Sequence, residues 1–143
     1  MSPFDRKVRA QIYRHIVASG LGPAATQLAN ARGWAPEEVE EAMRRLEHEH
    51  RIALVPDEPS VWMAHPFSGV DTEYRSTSNG RSWYANCAWD SLAILSLMGD
   101  GQAVVTREND EVIWDVRNGV VTPGGVIHVQ VPARHFWDDV GFT

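Results

Sequence analysis

Thr72-Glu73-Tyr74-Arg75-Ser76-Thr77-Ser78-Asn79-Gly80-Arg81-Ser82-Trp83-Tyr84-Ala85-Asn86-Cys87-Ala88-Trp89-Asp90-Ser91-Leu92-Ala93-Ile94-Leu95-Ser96-Leu97-Met98 changes its character twice. Residues 72–77 and 82–85 are strand-like runs on either side of Ser78-Asn79-Gly80. Asn-Gly between such runs marks a hairpin, because the tight hairpin turn needs positive φ at both central residues. From Cys87 the chain turns apolar, with Leu92, Ile94, Leu95 and Leu97, and a helix is expected as far as Met98. Gly99 and Gly101 stop it. A hairpin running into an apolar helix belongs to a mixed α+β fold in which the helix is covered by a sheet.

Further strands are expected downstream at residues 103–106, 111–116 and 126–131. Asn109-Asp110, Asn118-Gly119 and Pro123-Gly124-Gly125 separate them. Pro132 begins a short final helix through Trp137. Upstream the period is helical. Val8, Ile12 and Ile16 form one apolar face after Pro3, closed by Gly20 and Gly22. Pro23 sits in the first turn of a second helix carrying Leu28 and Ala29, which ends near Gly33. Pro36 opens a third, with Val39, Ala42, Met43 and Leu46 inward. Residues 52–55 and 61–64 read as strands around the turn Pro56-Asp57-Glu58-Pro59. The expected division is a winged-helix-like, three-helix module over residues 1–64 and a mostly antiparallel α+β domain with a buried helix over residues 65–143. His65-Pro66-Phe67-Ser68-Gly69 joins them.

A three-helix module with a wing raises DNA binding through its third helix. That helix and its end carry Glu37, Glu38, Glu40, Glu41, Glu47 and Glu49 against Arg44 and Arg45, and the 143-residue chain has a net charge of -6. Such a surface repels phosphate, so no nucleic-acid partner is expected. No run approaches the roughly 18 apolar residues of a membrane span, and the N-terminus has no apolar signal core. One cysteine rules out an internal disulfide and fits a reducing compartment, so the expected location is cytoplasmic.

Cys87 stands where a helix starts, and the backbone N–H groups there favour a thiolate. Asp90 follows at i+3, on the same face. A carboxylate beside a thiol opposes its ionisation, which makes the pair a poor simple nucleophile. The pair suits a soft metal cation, which takes the sulfur and displaces its proton, while the carboxylate holds that proton. The plainer reading of the same spacing is a small buried cysteine and a helix-capping aspartate. Trp83 and Trp89 flank the pair, and with His65 and Phe67 they are expected to line a pocket. His48 and His50 point apart on a helix end. Asp138 and Asp139 read as an exposed acidic turn.

Residues 83–92, Trp-Tyr-Ala-Asn-Cys-Ala-Trp-Asp-Ser-Leu, resemble the active-site segment of the organomercurial (alkylmercury) lyases, and Met63-Ala64-His65-Pro66-Phe67-Ser68 resembles the entry into that part. The resemblance implies protonolysis of a carbon–mercury bond, giving a hydrocarbon and Hg(II), with no organic cofactor. Carried onto this chain, Cys87 binds mercury as a thiolate, and Asp90 takes the thiol proton and delivers it to carbon. The family pattern also includes a second catalytic cysteine, and none occurs here. The expectations are a chain truncated at its C-terminus, completed by further sequence, by self-association or by a second chain, and enzymatic activity only once completed. The alternative is a non-catalytic module that binds a soft metal or a small apolar ligand.

Overall fold

Ser2 opens the first helix with a reciprocal cap: its hydroxyl accepts from the Asp5 N–H at 3.1 Å, and the Asp5 carboxylate accepts from the Ser2 N–H at 2.9 Å. The computed structural model, which describes residues 1–108, 110–129 and 131–141, places α1 at Pro3–Ser19, α2 at Ala25–Arg32 and α3 at Pro36–His48. Their inward residues are those the 3.6-residue period selects: Val8, Ile12 and Ile16, then Leu28 and Ala29, then Val39, Ala42, Met43 and Leu46. Pro23 lies outside α2, contrary to expectation. Its carbonyl accepts from the Val61 N–H at 3.0 Å, and Ala24 bridges to Ser60, so the chain is held extended until Ala25.

The Asp5 carboxylate is almost fully buried and receives Arg45 Nη2 at 2.8 Å and Nε at 3.2 Å, which ties α3 to the start of α1. The Arg45 hydrogen bond pulls the Asp5 pKa down to about 2, against the opposing effect of burial. A lowered folded-state pKa gives stability that is present above the ordinary carboxylate value and is lost as pH falls through about 2. Asp5→Asn should therefore cost about 2 kcal/mol at neutral pH and much less near pH 2, read by urea unfolding at the two pH values.

The first sheet is β1 (Ala53–Leu54), β2 (Val61–Ala64) and β3 (Phe67–Ser68), antiparallel in that order. The segment expected to join the two parts belongs to this sheet: Ala64 pairs with Phe67 across a two-residue reversal at His65-Pro66. Gly22 and Gly69 pack against the Val61 carbonyl so closely that a Cβ at either would overlap it. The Gly22 N–H donates to Gly69 at 2.8 Å, which fixes this sheet to the helices.

The second sheet contains β4 (Tyr74–Ser78), β5 (Arg81–Tyr84), β6 (Gly101–Arg107), β7 (Asp110–Arg117) and β8 (Val120–Thr122). All its pairings are antiparallel, in the order β5-β4-β6-β7-β8. The fold is α+β, with four α-helices and two antiparallel sheets among the described residues. The Asn79-Gly80 hairpin forms as its chemistry demands, with φ of 50° and 73°. Residues 126–129 do not form the expected strand. The last strand comes earlier, because Asn118-Gly119 returns the chain at once and Pro123, lacking an N–H, ends the ladder. Val126 is 95% exposed, and Gln130 lies outside the described residues. Pro132 is followed by a single 3₁₀ turn, Ala133–His135, rather than a helix to Trp137.

Helix α4 (Ala88–Met98) connects β5 to β6 and lies on β4 and β6. Ser91, Ile94 and Leu95 are buried, whereas Trp89 and Leu97 face solvent. Buried Ser76 on β4 donates to the Ser91 carbonyl at 2.7 Å, pinning the first turn of α4 to the sheet. The larger of two core clusters joins the helices to the sheets: Val8, Ile12, Ile16 and Leu46 belong to it together with Phe67, Trp83, Ala85 and Ile94, while Leu95, Ala103 and Val116 form the smaller one.

Candidate active site

Cys87 is the N-cap of α4. Strand β5 runs out through Ala85, whose N–H donates to the Tyr74 carbonyl at 3.0 Å and whose carbonyl accepts from the Thr72 hydroxyl at 2.7 Å. Two residues later the backbone is still extended, with φ -155° and ψ 176° at Cys87. The Cys87 carbonyl accepts from the Ser91 N–H at 3.0 Å, starting the helix. The thiol sulfur accepts from the Asp90 N–H at 3.4 Å. A sulfur thus fills the place that Ser, Thr, Asn or Asp usually takes in satisfying the free N–H groups of a first turn.

The thiol is half-buried. Burial pushes its pKa up, the Asp90 carboxylate pushes in the same direction, and the N–H groups of Asp90 and Trp89 pull against them. The balance lies above the ordinary thiol value, so the helix start does not produce the thiolate that its position alone suggested. At pH 8 the thiol should react with iodoacetamide more slowly than a free cysteine, and faster as pH rises. Asp90→Asn removes a nearby negative charge and should speed the alkylation, a comparison read directly from modification rates.

Asp90 lies one turn into α4 and is largely buried, at 14% exposure. Its Oδ2 accepts from Asn86 Nδ2 at 2.9 Å and faces His65 Nδ1 at 3.3 Å. Asn86 Nδ2 also lies 3.3 Å from the Pro66 carbonyl and 3.4 Å from that of Phe67. The two-residue reversal between β2 and β3 is thereby docked on the start of α4. Tyr13 of α1 supports it from behind, its hydroxyl donating to the His65 carbonyl at 3.0 Å.

Of the expected pocket residues, His65 stands beside Asp90, half-exposed. Trp83 and Phe67 are core residues at 3% and 2% exposure, in edge-to-face contact, and Trp83 Nε1 donates to the Val17 carbonyl at 3.2 Å. Trp89 is 63% exposed. His50 leaves its helix end with φ 55° and stacks on Trp137, whose ring also approaches His65 edge-on. His135 pairs with Asp138 at 2.7 Å. Asn86 was missed at the sequence level. Nothing local shows that the carbonyls of residues 66 and 67 arrive at its amide.

The arrangement offers a soft ligand and a buried carboxylate on one turn, at the end of a helix that rests on a sheet. The sequence model of the MerB family, alkylmercury lyase, matches residues 67–143, more than half of the chain. The chain belongs to the alkylmercury lyase family. Among solved structures, the mercury-bound crystal form of MerB2 matches with a TM-score of 0.64 and 21% identity, over 86% of this chain. That likeness is one of fold, and the chain spans 62% of the length of the MerB2 chain. No curated protein matches. The alkylmercury lyase match takes in Asn86, Cys87 and Asp90, while His65 and the three helices lie before it.

Proposed function

We propose that this chain is an organomercurial lyase-like protein that cleaves carbon–mercury bonds, with Cys87 as the mercury-binding thiol and Asp90 as the proton carrier. The observation that supports it most is the bond from the Asp90 N–H to Cys87 Sγ at 3.4 Å, which fixes sulfur and carboxylate on one helical turn. Capture begins as the protonated thiol meets an alkylmercury cation. The S–H bond breaks, the proton goes to Asp90, and the sulfur lone pair binds mercury. The carbon–mercury bond then breaks, its electron pair stays with carbon, and carbon takes the proton from Asp90. A hydrocarbon leaves, and Hg(II) remains on Cys87, beside the regenerated Asp90 carboxylate, until free thiol removes it. No organic cofactor takes part.

In this reading residues 1–64 act as a winged-helix-like helical support and residues 65–143 as the lyase-like part. The acidic third helix supports the expectation of no nucleic-acid partner. Among the described residues no helix is long and apolar enough to cross a membrane, and we take the cytoplasm as the working compartment. The family pattern includes a second thiol, and Cys87 is the one cysteine of the 143 residues. The decisive assay mixes the purified, folded chain with an organomercurial and excess thiol and measures hydrocarbon in the headspace. Absence of hydrocarbon sinks catalysis by this chain. The single thiol favours one second reading, a protein that holds a soft metal or a small apolar ligand without turnover, which predicts stoichiometric Hg(II) binding and no hydrocarbon.

A further inference from the structure

The two oxygens of Asp90 are not equivalent. Oδ2 receives the Asn86 amide at 2.9 Å and faces His65 Nδ1 at 3.3 Å. Oδ1 accepts none of the hydrogen bonds found among the described residues. The Asn86 amide has two hydrogens and four acceptors near it: Asp90 Oδ2, the carbonyls of Pro66 and Phe67, and His65 Nδ1, of which Asp90 Oδ2 is the nearest. Its own Oδ1 is buried and has no partner in the described structure. A buried acceptor without a partner costs stability, and the shortest bond of the amide goes to Asp90, so Asn86 is placed to hold that carboxylate as well as the reversal.

We propose that Asn86 and His65 are positioning residues that occupy Oδ2 of Asp90 and fix the carboxyl plane, so that Oδ1 is the atom that takes the Cys87 proton and returns it to the leaving carbon. The inference rests on the lyase reading of Cys87 and Asp90. An oxygen that already accepts two hydrogen bonds is a weaker base than its free neighbour, because its lone pairs are engaged. The proton therefore moves from Sγ to Oδ1 as the S–H bond breaks, and from Oδ1 to carbon as the carbon–mercury bond breaks. Asp90 ends as the carboxylate it began as, and no oxidant or reductant is needed. For His65 to donate to Oδ2, its Nδ1 must carry the hydrogen, which leaves Nε2 as the lone-pair nitrogen. The 3.3 Å approach of Asn86 Nδ2 to the protonated Nδ1 is then a contact and not a hydrogen bond.

The test uses Asn86→Ala, His65→Ala and His65→Gln, each in the native chain and in Asp90→Asn, with single-turnover hydrocarbon release and Hg(II) titration as readouts. Release should fall on the order of 10-fold in His65→Ala and 10- to 100-fold in Asn86→Ala, with His65→Gln recovering part of the loss and Hg(II) stoichiometry unchanged. In Asp90→Asn neither substitution should lower release further, because both act through that carboxylate. Full release in both alanine variants, or equal losses with and without Asp90, overturns the inference. His65 is half-exposed, so its variants stand as the test if Asn86→Ala does not fold. A native chain that releases nothing overturns the lyase reading itself, a result distinct from full-rate variants. The His65 ring nitrogens give a readout independent of turnover: their NMR shifts should show the Nδ1–H form in the native chain and change in Asp90→Asn. The opposite tautomer overturns the role of His65.

Discussion

Cys87→Ser should abolish stoichiometric Hg(II) binding and leave the protein folded. Serine keeps the cap of α4, since a hydroxyl accepts from the first-turn N–H groups at least as well as a thiol does. The melting temperature should stay the same or rise by a few degrees. Mercury affinity should nevertheless fall by on the order of 10³-fold or more, about 4 kcal/mol, because a hard hydroxyl that stays protonated replaces the soft sulfur. Calorimetric titration with Hg(II) beside a thermal melt separates the two effects. Unchanged binding in a folded variant would mean that mercury is held elsewhere, and both the lyase and the soft-metal readings would fail.

The second large effect is expected at Asp90. Asp90→Asn keeps the size and shape of the side chain and removes its capacity to carry the proton. Hydrocarbon release should drop by a factor of about 10² to 10⁴, the range spanned by general acid–base catalysis, while Hg(II) still titrates to Cys87. Single-turnover release measured with enzyme in excess isolates the chemical step. Release within about threefold of the native rate would remove Asp90 from the proton's path, since such a change is far below what a general acid contributes.

Structure is legible in the sequence where local chemistry decides it. Asn79-Gly80 requires a hairpin, Pro36 suits a first helical position, and the faces of α1 and α3 follow from apolar spacing alone. The α+β class was legible from residues 72–98 for the same reason, and the family from the resemblance carried by residues 83–92. The failures arose where the approach of a neighbouring segment, and not the local pattern, decided the pairing. Phe67 and Ser68 pair with β2 because Gly69 can approach the Val61 carbonyl, and residues 126–129 leave the sheet because β8 has already filled the edge of β7. At the site, spacing placed Cys87 and Asp90 on one turn but could not weigh burial against the helix start, and burial governs the thiol. Trp83 is adjacent to Cys87 in the sense that three residues separate them, yet β5 directs it into the core.

The contact of Tyr13 with the His65 carbonyl, and the core shared by Ile12, Ile16, Phe67 and Trp83, bear on how this protein can be divided. The family match begins at Phe67. A fragment cut there would lose the histidine that faces Asp90 and would bare the apolar side of Phe67 and Trp83 to water. The matched stretch is in that respect a unit of ancestry rather than a unit of folding, and grafting it onto another scaffold would mean bringing the helices along.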